Sequence, residues 1–122
     1  MIEEDTKLNK GIIYLLQPAE LIGTNRYKIG FSGRTDLRRC KKGYLSNSKC
    51  LCVMYCNEPY KLERKIKDEF KKKFKLVAGK EYFEGNETEM FNEFTHLHKL
   101  HIESYKHKND SSLIQNTTIT TL

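Results

Sequence analysis

No apolar run in this sequence approaches the roughly 18 to 20 residues that a membrane-spanning helix requires. The start, Met1-Ile2-Glu3-Glu4-Asp5, is acidic where a secretory signal would be basic. Both absences lead us to expect a soluble, intracellular protein. The apolar share is low, at 38% hydrophobic against 31% charged residues, which leaves part of the chain outside any core. Internal repeats are lacking, and no domain boundary interrupts residues 8 to 105. The usual paired Cys-x2-Cys spacing is missing too. Without a signal peptide, Cys40, Cys50, Cys52 and Cys56 read as free thiols in a reducing compartment. Zinc ligation is the alternative, disfavoured because Cys50, Cys52 and Cys56 fall at even spacing in a strand-like run.

What the sequence does hold is basic charge in two blocks. Residues 26 to 49 carry eight Lys and Arg against one acid, and residues 59 to 80 carry nine against three, while the whole chain of 122 residues is only +6. The ends are therefore acidic, and the positive charge is placed to meet a polyanion, of which nucleic acid is the obvious case. Solvated helix faces are the plainer account of a run such as Lys71-Lys72-Lys73.

The hydrophobic pattern predicts one α/β (α+β) domain with a small, mainly antiparallel sheet of three to four strands flanked by helices. Gly11 to Leu16 reads as a buried strand ended by Pro18, a turn-rich stretch follows, and Arg26 to Ser32 completes a hairpin. Thr35 is placed to cap a helix over about 36 to 45. Cys50 to Cys56 is the third strand, and Pro59 opens a helix with Leu62, Ile66, Phe70 and Phe74 at four-residue spacing. Glu81-Tyr82-Phe83 is a short extended segment, and a last helix runs from about Glu87 to Tyr105 with Asn86 as its cap. Its histidines, His96, His98, His101 and His107, are assigned to a polar outer face. We divide the chain into an extension over 1–8, the domain over 9–105, and a disordered tail over 106–122.

Tyr14, Tyr27, Gly30, Arg38 and Glu63 follow one another at spacings that suit a single site. Two phenols, a guanidinium and one carboxylate can activate water, neutralise phosphate and hold one divalent cation, which together read as phosphodiester hydrolysis. The ordinary phenol pKa near 10 requires a neighbouring cation such as Lys28 or Arg38 for Tyr14 to act on water. A planar guanidinium at Arg38 could clamp two phosphate oxygens. Arg34, Arg39, Lys41 and Lys42, with Lys28, Lys67 and Lys71, are candidates for phosphate contact without sequence choice. Glu63 is the metal candidate, and a helical salt bridge to Lys67 is its structural alternative.

Gly11-Ile12-Ile13-Tyr14 with Tyr27-Lys28-Ile29-Gly30 resembles the paired signature of the GIY-YIG nuclease superfamily. The likeness extends from Gly11 to Phe83. Arg38 lies on the helix after the second signature, and Glu63 on the helix after the third strand. Glu81-Tyr82-Phe83 is similar to the closing motif of the short branch common in phages and large DNA viruses. The resemblance implies an endonuclease that hydrolyses DNA, with RNA not excluded, using Mg²⁺ or Mn²⁺ on Glu63. Tyr14, Tyr27 and Arg38 would be its catalytic partners. It further implies host cytoplasm or nucleus if the source is viral. The oligomeric state stays open between monomer and transient dimer, since one site per chain cuts both strands only as a dimer or in two visits. Lys67 stands where that branch often has histidine, and the late asparagine of some members has no secure match. A nucleic-acid-binding module of the same fold with little or no catalysis is therefore the second reading.

Overall fold

The computed structural model describes residues 10–33, 47–109 and 119–120. Strands β1 (Lys10–Gln17) and β2 (Arg26–Ser32) form the expected hairpin, joined through a 3-10 turn at Ala19–Leu21. Buried Gln17 closes it, donating from Nε2 to the Thr24 carbonyl at 2.8 Å and the Arg26 carbonyl at 3.2 Å. Strand β3 (Lys49–Asn57) leads to helix α1 (Pro59–Lys73), followed by β4 (Lys75–Ala78), β5 (Tyr82–Glu84), helix α2 (Glu87–Asn109) and β6 (Ile119–Thr120). The sheet order is β4-β5-β2-β1-β3-β6. Every pairing in it is antiparallel.

The fold class is the expected α+β, but the sheet is wider than three to four strands. Lys75–Ala78, which has no alternating pattern, pairs with β5. Ile119–Thr120, expected in a disordered tail, pairs with Val53 and Met54 of β3. The last helix also runs to Asn109, beyond the expected end at Tyr105. The expected helix over 36 to 45, with its cap Thr35, lies outside the described residues. Among the described residues no helix is long and apolar enough to cross a membrane.

Alternation along β1 supplies two cores. Ile13 and Leu15 join Tyr27, Ile29, Cys52 and Met54 on the face covered by α1 and α2, while Ile12, Tyr14 and Leu16 pack with Cys50 and Val53 on the other. A register shift between Leu15 and Leu16 at β3 is what sends Cys50 and Cys52 to different clusters. Burial pushes the Cys52 and Cys56 thiols up to about 12, so they are protonated core sulfurs. No three His, Cys, Asp or Glu side chains gather as metal ligands among the described residues.

Helix α1 starts abruptly because Glu58 adopts a left-handed backbone (φ 48°) and Pro59 follows in the first turn, where its missing N–H costs nothing. Leu62, Ile66 and Phe70 are fully buried, each contributing about 1.5 to 3 kcal/mol by leaving water. Phe70 meets Phe83 edge-on at 5.4 Å, which ties the helix to β5. Asn86 caps α2 as expected, its Oδ1 accepting from the Glu89 N–H at 2.9 Å.

The histidine assignment needs correction. His98 and His101 are buried, and each donates from Nε2 to a carbonyl at the end of β3: Tyr55 at 3.0 Å and Asn57 at 2.7 Å. Spacing of i and i+3 puts both on the helix face that meets the strand. His101 Nδ1 is buried without a partner, so a second proton there would find no acceptor. Burial lowers both pKa values, with Lys65 also disfavouring charge on His101. The fold then binds fewer protons than the unfolded chain. Stability is complete above the ordinary histidine value of 6.5 and falls as pH drops below it toward the lowered folded values. The urea midpoint should therefore fall between about pH 7.5 and about pH 5, and His101→Gln should flatten that slope. An unchanged slope in the variant would place the acid sensitivity elsewhere.

Candidate nucleic-acid interface

Tyr14 pairs directly across the hairpin with Gly30, and the reason for that glycine is visible in the pairing. A Cβ at Gly30 would overlap the Tyr14 hydroxyl and lie 2.6 Å from its ring carbon Cε1. The phenol therefore lies flat across the Gly30 backbone, almost wholly buried at 3% exposure. Residues two apart on β2 share a face, so Lys28 and Ser32 flank Gly30 on the side of Tyr14. Lys28 Nζ stands 5.9 Å from the centroid of the Tyr82 ring, a cation–π distance that draws it toward β5.

Tyr27 does not join this group, which corrects the expectation of two phenols at one spot. Odd spacing from Gly30 turns it to the opposite face, into the core with Ile29 and Phe83. There its hydroxyl donates to Glu87 Oε1 at 2.7 Å, and the same oxygen accepts from Lys49 Nζ at 2.9 Å. Burial, then the Glu87 hydrogen bond, pushes the Tyr27 phenol up to about 12, while Lys49 and Tyr27 hold the Glu87 carboxyl below its usual range. The arrangement pins the start of α2 to β2 and β3. Tyr27→Phe should accordingly cost about 1 kcal/mol in urea unfolding while leaving any cleavage activity near wild type. A large activity loss at unchanged stability would return Tyr27 to the site.

Glu63 opens into a surface hollow of about 370 Å³. Arg64, Lys67, Lys71 and Lys80 supply its positive charge, Glu63 and Asp68 its two carboxylates, and Phe31 and Tyr60 its aromatic rim. Thus Glu63, Lys67 and Lys71 come together. The Glu63 side chain is 15% exposed and ion-paired to Lys67 at 3.2 Å. Phe31 follows Gly30 in sequence and points to the opposite face. The hollow therefore begins one residue beyond the backbone that carries the Tyr14 ring. Pairing of β5 with β2 ends at Lys28, with a further bond from Ile29 N–H to the Glu81 carbonyl at 3.0 Å. Arg34, Arg38, Arg39, Lys41 and Lys42 lie outside the described residues.

A family model described as the T5orf172 domain matches residues 11–108. The chain belongs to the T5orf172 domain family. Its matched span runs from the first residue of the Gly11-to-Tyr14 signature to near the end of α2, so it includes both the Tyr14 face and the Glu63 hollow. T5orf172 is a phage-associated domain often linked to nucleases, and the membership suggests interaction with nucleic acid. No curated protein and no solved structure matches the sequence.

Within this T5orf172 domain, the sequence pattern did not single out Phe31, Tyr60, Arg64, Asp68 and Lys80 as members of the Glu63 hollow. Phe31 carried a readable signal: it continues the apolar row of Tyr27 and Ile29, yet it sits at the strand's end where cover runs out. Lys80 comes from the turn between β4 and β5, a strand pair the sequence did not suggest.

Proposed function

We propose that this T5orf172 domain is a divalent-metal-dependent endonuclease of the GIY-YIG kind that hydrolyses DNA phosphodiester bonds. The observation that carries the reading is the junction at Gly30 and Phe31. Consecutive residues of β2 bear the Tyr14 phenol on one side and border the Glu63 hollow on the other. Tyr14 and Glu63 thus lie on opposite faces of the sheet, and a phosphate strand would meet both only by passing over the end of β2.

Glu63 fits a hard cation as its single protein ligand, because magnesium keeps several waters and takes one or two carboxylates plus phosphate oxygens. Asp68 in the same hollow is the second carboxylate available. When bound, the ion would supply charge for the phosphate and an acidified water. Tyr14, whose ring rests on Gly30 and is almost wholly buried, would meet an attacking water only at the end of β2, where its hydroxyl would orient that water or accept its proton. Lys28, which shares its face, and Arg38 offset the charge that develops on the phosphate. Lys67, Lys71, Arg64 and Lys80 bind the flanking backbone, and Arg34, Arg39, Lys41 and Lys42 extend that contact in the first basic block.

The Glu63–Lys67 ion pair favours a second reading, a binding module in which the carboxylate serves only its lysine. Incubating plasmid with Mg²⁺ or Mn²⁺ and the wild-type, Glu63→Ala and Arg38→Ala proteins separates the two. Equal cutting by all three removes the assigned chemistry. Metal-independent binding that weakens steeply with salt, without cutting, supports the module.

A further inference from the structure

Large hydrophobic side chains exposed among the described residues are Ile22, Phe31, Tyr60, Leu76 and Leu100. The two aromatic ones, Phe31 at 39% and Tyr60 at 43% exposure, both line the Glu63 hollow. Scattered exposed apolar groups need no explanation, but two rings on one small basic hollow are a different case. Phe31 of β2 is the cross-strand partner of Ile13 of β1, which is fully buried, so the same sheet face passes from covered core to open ring within one pair. Tyr60 lies in the first turn of α1, held by a hydrogen bond from its hydroxyl to Glu58 Oε2 at 3.3 Å. Phosphates alone would be served by Arg64, Lys67, Lys71 and Lys80. Rings among such cations are what a nucleobase face requires, since every base has a π surface and stacking is tolerant of sequence.

We propose that Phe31 and Tyr60 form a stacking clamp for an unpaired nucleobase beside Glu63, so that this domain takes DNA with unpaired nucleotides in preference to continuous duplex. The clamp rests on reading the hollow as the nucleic-acid site, and it specifies the substrate class of that site. Paired bases keep their faces covered by their neighbours and cannot enter it. Unpaired ones can, while the cations hold the phosphates on either side.

The test measures binding without metal, so that cutting plays no part. Fluorescence anisotropy compares a labelled single-stranded oligodeoxynucleotide with the blunt duplex of the same sequence, for wild type, Phe31→Leu and Tyr60→Leu. Leucine keeps apolar bulk and removes the ring. Wild type should bind the single strand more tightly. Each variant should lose about tenfold in single-strand affinity. Duplex affinity and the salt slope should stay unchanged, because phosphate contacts are untouched. The unchanged duplex affinity also reports that the variants are folded. Wild type that prefers duplex, variants that keep full single-strand affinity, or equal losses on both ligands would each overturn the clamp. Failure of the nuclease reading is separate, because it shows in plasmid cutting by Glu63→Ala. A clamp without cutting, or cutting without a clamp, tells the two apart.

Discussion

Replacing Glu63 with glutamine should lower Mg²⁺-supported cleavage by roughly 100-fold or more, the scale for losing one group that stabilises transition-state charge. Size and a hydrogen-bonding oxygen remain, but the charge that would hold the cation is gone. Affinity for DNA at fixed salt should be equal or slightly tighter, because Lys67 loses its partner at 3.2 Å and becomes available to phosphate. Folding should respond modestly. The pair is only 15 to 17% exposed, so losing its charge costs more than an exposed helical pair, about 1 kcal/mol, with the glutamine oxygen still able to accept from Lys67. The diagnostic result is thus a fall in rate with intact binding and only a small drop in melting. A Glu63→Gln protein that cuts at the wild-type rate would end the proposed role. A protein that never cuts but binds with a steep salt slope would leave the binding module as the better account.

Gly30→Ala should have the second large effect. The added methyl would overlap the Tyr14 phenol, whose ring is packed among Ile12, Leu16 and Val53 and has little room to withdraw. Overpacking of this kind costs about 1 to 3 kcal/mol, readable as a lowered urea midpoint. Cleavage should fall as well, since the hydroxyl leaves its position over β2. The overlap makes a sharper prediction through a double-mutant cycle. Tyr14→Ala alone leaves a cavity and is itself costly, by about 3 to 5 kcal/mol for a large aromatic. Tyr14→Ala with Gly30→Ala should nevertheless be less destabilised than the two single losses combined, because the clash no longer has a partner. Strict additivity would show that the ring does not depend on the glycine.

Neither test concerns the motif tyrosine that sequence reasoning placed beside Tyr14. Tyr27 is prominent in Tyr27-Lys28-Ile29-Gly30, but strand periodicity already separates it from Gly30 by an odd number of positions. Lys28 is the residue of that motif on the face of Gly30 and Tyr14. That parity was readable. The Glu87 carboxylate that receives the Tyr27 hydroxyl lies 60 positions away, and its position depends on how α2 docks.

Local rules accounted for the elements whose causes are local. Leu62, Ile66 and Phe70 recur at helical spacing and are buried, Pro59 starts α1, Asn86 caps α2, and Gly11 to Leu16 forms a strand buried on both faces. Features that arise from chain segments meeting were missed. Lys75–Ala78 becomes a strand because Tyr82–Glu84 offers it backbone partners, and Ile119–Thr120 does so because β3 does. His98 and His101 look like polar residues on an amphipathic helix until the carbonyls of Tyr55 and Asn57 meet them.

By itself, then, the sequence determined the periodicities, the Asn86 cap, the signature glycines, the two basic blocks and membership of the T5orf172 domain family, since all of these are set by neighbours along the chain or by residue type. Tertiary structure alone decided that Tyr27 turns into the core, that Tyr14 rests on Gly30, and that Glu63 shares a hollow with Phe31 and Tyr60. The physical reason is register. In a sheet, a shift of one position exchanges the faces, and only long-range packing chooses between them.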